Sequence, residues 1–178
     1  MSQAQSTLID PVTAAIVNHR EALGPARSDE ALKRFLLSSP GARTAARALR
    51  SGAEVSIAFA DVPGEWRFYQ SNGSPVLEAA KAKDPDFELR LAPGAVHAIC
   101  SDPEADVGDL GIVFFERIVS REPENKVRVT LRSGLVKLTM RGWLGVLAQG
   151  GPKVVGWMAK KGLKGPGAVV SALARLKS

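Results

Sequence analysis

The sequence predicts an α+β domain, a mostly antiparallel sheet covered by helices, and three observations carry that prediction. Short runs alternate apolar and polar residues with the period of a half-buried strand: Val55-Ser56-Ile57-Ala58-Phe59, Trp66-Arg67-Phe68-Tyr69-Gln70, Phe87-Glu88-Leu89-Arg90-Leu91 and Val127-Arg128-Val129-Thr130-Leu131. These runs follow one another without the regular helical crossovers of a doubly wound sheet. Two greasy segments, residues 92–100 and 107–119, stand between the last two runs, so the chain can roof its sheet and leave an apolar space beneath.

Asp10-Pro11 reads as an N-cap followed by proline at the first helical turn, and Gly24-Pro25 stops that helix. Ser28 begins a second helix, where Ala31, Leu32, Phe35 and Leu36 make one apolar stripe. Ser39-Pro40 repeats the cap-and-proline signal for a third helix to about residue 50. Its Arg43, Arg47 and Arg50 share a face that reads as solvated. The strand at Val55 leads through Asp61-Val62-Pro63-Gly64 to the strand at Trp66. Ser71-Asn72-Gly73-Ser74 then turns the chain, Asn-Gly favouring positive φ. Residues 76–80 read as a weak third strand or a short helix, followed by a charged loop and the strand at Phe87. After residue 126 the pattern predicts a strand pair, residues 127–131 and 135–140, joined by Arg132-Ser133-Gly134. Trp143 to Ala148, a break at Gly150-Gly151-Pro152, a stripe of Val154, Val155, Trp157 and Met158, a glycine-rich hinge over 162–167 and a last helix around Val169, Val170, Leu173 and Leu176 complete the chain.

A chain of 178 residues buries roughly two-thirds of its surface on folding and needs no disulfide or metal for stability. One cysteine, Cys100, leaves no partner for an internal disulfide and fits a reducing compartment. The first residues show no signal peptide, and no apolar run approaches the ~18 residues of a spanning helix. The net charge of +6 is unevenly placed. Eleven basic residues and no acidic one lie in 125–178, while the rest carries 13 basic and 18 acidic residues. The basic third, through Lys153, Lys160, Lys161 and Lys164, favours an anionic partner such as a membrane surface.

Catalytic chemistry finds little material. His97, Cys100 and Asp102 are the nearest approach to a metal cluster, and the only other histidine is His19. Structural zinc takes four ligands and catalytic zinc three plus water. Cys100 with His97 as base lacks a visible oxyanion donor set. Asp102/Glu104 and Asp106/Asp109 sit beside Pro103 and Gly108 and suit turns and N-caps. The late glycines do not read Gly-Lys-Ser/Thr after a strand, so no phosphate loop is present. No metal, cofactor or catalytic residue is expected.

Four pieces carry a family resemblance. They are Gly64-Glu65-Trp66-Arg67-Phe68-Tyr69-Gln70-Ser71-Asn72-Gly73, the Asp-led strand Pro85-Asp86-Phe87-Glu88-Leu89-Arg90-Leu91, the short apolar segment 92–100, and Leu131-Arg132-Ser133-Gly134-Leu135-Val136-Lys137-Leu138-Thr139-Met140-Arg141-Gly142. In this order, over about 55–148, they resemble the sterol carrier protein domain family, and the chain looks like its stand-alone bacterial members linked to isoprenoid quinone synthesis. The resemblance implies a five-stranded, mostly antiparallel sheet covered by helices around an apolar tunnel for sterol, fatty acyl, phospholipid or isoprenoid ligands. Two departures stand out: Trp143 where the family often has Asp or Asn, and a longer segment over 107–126. With the family granted, the expected lining is Phe68, Leu89, Ile99, Leu110, Phe114, Phe115, Ile118, Val129, Leu138, Met140, Trp143, Leu147 and Trp157.

The functional reading is a non-enzymatic lipid binder, cytoplasmic or peripheral at a membrane. Its organisation is an N-terminal helical section over 1–52, a lipid-binding core over 53–149 and a basic helical tail over 150–178. A basic nucleic-acid or protein interaction module is the second reading. It requires phosphate contacts and strong salt dependence.

Overall fold

The structure, a computed structural model, describes residues 26–162. The helices expected around 10–23 and 169–176 lie outside them.

Two helices, α1 (Ser28–Ser38) and α2 (Pro40–Ala48), precede the sheet. Leu32 and Phe35 of α1 and Ala42 of α2 belong to the same buried cluster as the sheet. The Ser39 side chain accepts a hydrogen bond from the Ala42 amide at 3.2 Å, and Pro40 follows at the first turn, so the cap read from sequence starts α2.

Five strands follow: β1 (Glu54–Phe59), β2 (Trp66–Ser71), β3 (Ser74–Glu78), β4 (Phe87–Leu91) and β5 (Val127–Leu131). They form one sheet in the order β3-β2-β1-β4-β5. Three neighbouring pairs are antiparallel and β1 with β4 is parallel. Asn72 and Gly73, at φ 51° and 74°, both take the left-handed region. Two such residues between Ser71 and Ser74 make the tight turn whose twist matches a hairpin.

Register sorts the side chains onto two faces, because directly paired residues point the same way. Leu77, Phe68, Val55, Phe87 and Leu131 make one row across the sheet. Trp66, Ile57, Leu89 and Val129 make a second, and Phe59, Leu91 and Val127 a third. Every residue of these rows is apolar. The opposite face carries Arg67, Tyr69, Glu54, Ser56, Glu88, Arg90 and Thr130.

Between β4 and β5 the chain makes α3 (Pro93–Cys100), α4 (Val107–Val119) and a 3-10 turn (Pro123–Asn125). Asp106 caps α4 by accepting from the Asp109 amide at 2.9 Å. After β5 come α5 (Leu135–Met140) and α6 (Trp143–Lys160). Gly151, at φ 55° and ψ −151°, breaks α6 directly before Pro152, where the sequence placed the break.

One expectation is corrected. Residues 135–140 form helix α5 and do not pair with β5. Their alternation fits a strand, but a short apolar run fits either state. The helix buries Leu138 and sets Lys137 and Arg141 one turn apart, where both reach the Asp84 carboxylate at 2.6 and 2.7 Å.

Candidate hydrophobic binding site

The apolar sheet face is not filled evenly. Its third row, Phe59, Leu91 and Val127, is buried, and so are Ala95 and Val96 of α3. Phe68, Phe87, Leu89 and Val129 of the other rows stay only half-buried. Ile99 of α3, Leu110, Phe114 and Ile118 of α4, and Trp143 of α6 pack against the same cluster and are half-buried too. Leu110, Phe114 and Ile118 are spaced i, i+4, i+8, one stripe of α4. Gly108 is the only buried residue in that helix, although it is apolar nearly all round. Protein cores normally close-pack facing apolar surfaces. Here the β4–β5 half of the sheet and the α4 stripe leave apolar area uncovered. Each Å² of it gains about 25 cal/mol when a hydrophobic occupant removes it from water.

A polar node holds one end of this layer. Asp86, with no exposed surface, stands just before β4. It accepts hydrogen bonds from the Ser133 hydroxyl at 2.6 Å, Arg141 Nη1 at 2.8 Å, Trp143 Nε1 at 2.7 Å and the Glu54 amide at 3.4 Å. Four donors from β1, the β5–α5 loop and the α5–α6 corner satisfy the buried carboxylate. They also hold the Trp143 ring edge-on to Phe87, with centroids 5.0 Å apart.

On its other flank α4 packs against the second half of α6. A Cβ on Gly108 would stand 2.9 Å from the Gly150 carbonyl oxygen, and one on Gly111 3.1 Å from Val154. The glycines therefore set the helix separation. One turn on, Phe115 stacks on Trp157, centroids 6.1 Å apart. Beside this stack lies an open groove of ≈ 410 Å³ lined by Asp109, Ile112, Pro152, Lys153, Gly156, Trp157 and Lys160.

The thirteen expected lining residues thus separate. Phe68, Leu89, Ile99, Leu110, Phe114, Ile118, Val129 and Trp143 each pack, half-buried, against the core cluster. Phe115 and Trp157 meet each other at the α4–α6 seam. Leu138 and Met140 leave the sheet with α5, Leu138 buried and Met140 67% exposed. Leu147 is half-buried on α6. Sequence reasoning missed Phe87, whose register beside Val55 puts it in the layer, and the role of Asp86, which a strand pattern does not mark.

The basic third is partly neutralised within the fold. Arg132 pairs with Glu88, Lys137 and Arg141 with Asp84, and Lys153 with Asp106 and Asp109 at 2.7 and 2.8 Å. Hydrogen bonds from Lys137 and Arg141 hold the Asp84 carboxyl below the usual carboxylate range. Lys153, which the sequence offers to an anionic surface, is occupied by two carboxylates. Lys160 and Lys161 remain exposed, and Lys164 lies outside the described residues.

Among the described residues no group of three His, Cys, Asp or Glu side chains is placed to hold a metal ion. His97 is exposed and Cys100 half-buried. Burial pushes the Cys100 thiol up to about 11, far from the activated thiolate of a nucleophile. No helix of the described residues is long and apolar enough to cross a membrane.

No protein-family model matches this chain, and no curated protein matches it. Among solved structures, a chain described as "UbiJ-SCP2 Ubiquinone synthesis protein" aligns over 81% of this chain and 99% of its own length, at 15% identity and a TM-score of 0.38.

Proposed function

We propose that the protein binds a long hydrophobic ligand, of the fatty acyl, phospholipid, sterol or isoprenoid kind, and carries it without transforming it. One observation supports this reading. Leu89 and Val129 on the sheet and Leu110, Phe114 and Ile118 on α4 pack against one core cluster and are left half-buried. Ligand sites are mostly apolar with few polar groups, and burial of a chain-like ligand supplies the binding energy without specific chemistry. In this reading residues 53–149 are the binding core, with residues 1–52 an N-terminal section of the same domain and residues 150–178 a basic tail for an anionic membrane surface. Lys160, Lys161 and Val155, all exposed beside Trp157, supply that contact.

The test is to fill the space. Leu110→Trp and Ile118→Trp add bulk where the layer is open. Uptake of a fluorescent fatty acid by delipidated protein should fall by about tenfold or more, a loss of roughly 1.4 kcal/mol in binding, with folding stability kept. A solid core instead predicts a stability loss of about 1–3 kcal/mol from overpacking, and that loss with no uptake by the wild type refutes the reading.

A further inference from the structure

We infer that Arg117 is the polar anchor of this site and that the ligand is an amphiphile with an anionic head, a carboxylate or a phosphate monoester. The inference rests on the reading of the half-buried layer as a lipid site. Arg117 lies in the last turn of α4 at i+7 from Leu110 and i+3 from Phe114. It therefore continues the stripe that faces the sheet, and it is the one charged residue on it. Asp109 and Glu116, the other charged residues of α4, fall elsewhere on the helix.

Its bonding is incomplete. Arg117 Nε is buried and has no hydrogen-bond partner. Among the described residues its ion pair is a single contact at 3.8 Å to Glu116, its neighbour in sequence. Arg67 Nε is also buried without a hydrogen bond, but carboxylates of Glu54 and Glu78 flank it at 3.5 and 3.7 Å. Among the described residues Arg117 has no such pair of carboxylates. A guanidinium presents five donors in a planar fork that matches two oxygens of a carboxylate or phosphate. A buried donor without an acceptor is costly, and an oxyanion at the end of a chain lying along Leu110 and Phe114 removes that cost. The side chain is 26% exposed, so the head group reaches it from solvent while the tail lies inward.

The test compares oleate, oleyl phosphate and oleyl alcohol, which share one tail, by calorimetry on the delipidated full chain. The wild type should prefer at least one anionic ligand over the alcohol by about tenfold or more, as a charge-assisted hydrogen bond provides. The tighter of the two anions identifies the head group. Arg117→Gln should bring that preference within about threefold, and Arg117→Lys should keep part of it. Where Arg117→Gln does not fold, Arg117→Met keeps the apolar stem and removes the charge. Equal binding of all three ligands by the wild type, or an undiminished preference in Arg117→Gln or Arg117→Met, overturns the anchor while the hydrophobic site stands. No binding of any of the three overturns both.

Discussion

Trp143 donates its indole N–H to the fully buried carboxylate of Asp86 at 2.7 Å. The sequence marked Trp143 as a departure from the family it resembles, and the structure gives the residue a purpose. The indole serves as a donor to the carboxylate and sets an aromatic wall against Phe87. Asp86→Ala removes the acceptor for Ser133 and Trp143 and one of the two carboxylates that Arg141 holds. Breaking a buried, hydrogen-bonded pair from one side costs about 3 kcal/mol or more. Urea denaturation should show that loss, and Asp86→Asn, which keeps the shape, should lose less. A change below about 1 kcal/mol contradicts this role.

Acid should weaken the fold through Asp84. Lys137 and Arg141 bond its carboxyl and lower its pKa from the ordinary 3.8. A carboxylate whose native pKa is depressed contributes stability in full above its unfolded value. That contribution falls as pH drops below the unfolded value and is gone below the native one. Thermal melts between pH 7 and pH 2 should therefore steepen below pH of about 4, and Asp84→Asn should flatten that slope. An unchanged slope in the variant counts against the pair.

Gly142 should not tolerate a side chain. Its φ is 88°, and an added Cβ would collide with the Ala48 carbonyl oxygen. Both the backbone strain and the clash oppose Gly142→Ala, with a cost of about 2 kcal/mol or more. Gly134, at φ −75° with open space around it, is the control. Gly134→Ala should melt within a few degrees of the wild type.

Membrane contact should depend on Lys160 and Lys161 and not on Lys153. Each basic residue near an anionic surface adds about 1 kcal/mol, so Lys160→Gln with Lys161→Gln should weaken binding to phosphatidylglycerol vesicles by about 30-fold. Lys153 already holds Asp106 and Asp109, so Lys153→Gln should leave vesicle binding nearly unchanged. Raised salt should weaken the wild type. Equal sedimentation of the wild type and the double variant removes the surface contact.

The strands were legible because one buried face imposes a period of two. Val55, Ile57 and Phe59 show it, and Asn72-Gly73 fixes the hairpin through its own backbone preference. Ser39-Pro40 fixed the start of α2 in the same local way. Residues 135–140 were misread because six residues satisfy both periods, and the deciding contacts, Lys137 and Arg141 on Asp84, span more than fifty positions of sequence. The half-buried layer was legible only as composition. Residues 107–119 are too apolar for one stripe, but which side meets the sheet depends on glycine contacts at Gly108 and Gly150 that fix how α4 sits against α6. The roles of Arg117 and Asp86 are hidden in the sequence for a related reason. A lone charge beside apolar residues has no periodic signature, and its significance appears only when its partners are counted.

The most direct measurement is native mass spectrometry of the purified full chain, followed by solvent extraction and identification of what it releases. A hydrophobic carrier with the half-buried layer described here should show a population heavier than the polypeptide by the mass of a lipid. Extraction should return that lipid, and the delipidated protein should take it up again at a ratio of about one to one with a Kd of about 1 μM or better. A spectrum holding the bare polypeptide alone, with no uptake of fatty acid, sterol or polyprenyl ligand afterwards, would contradict the account.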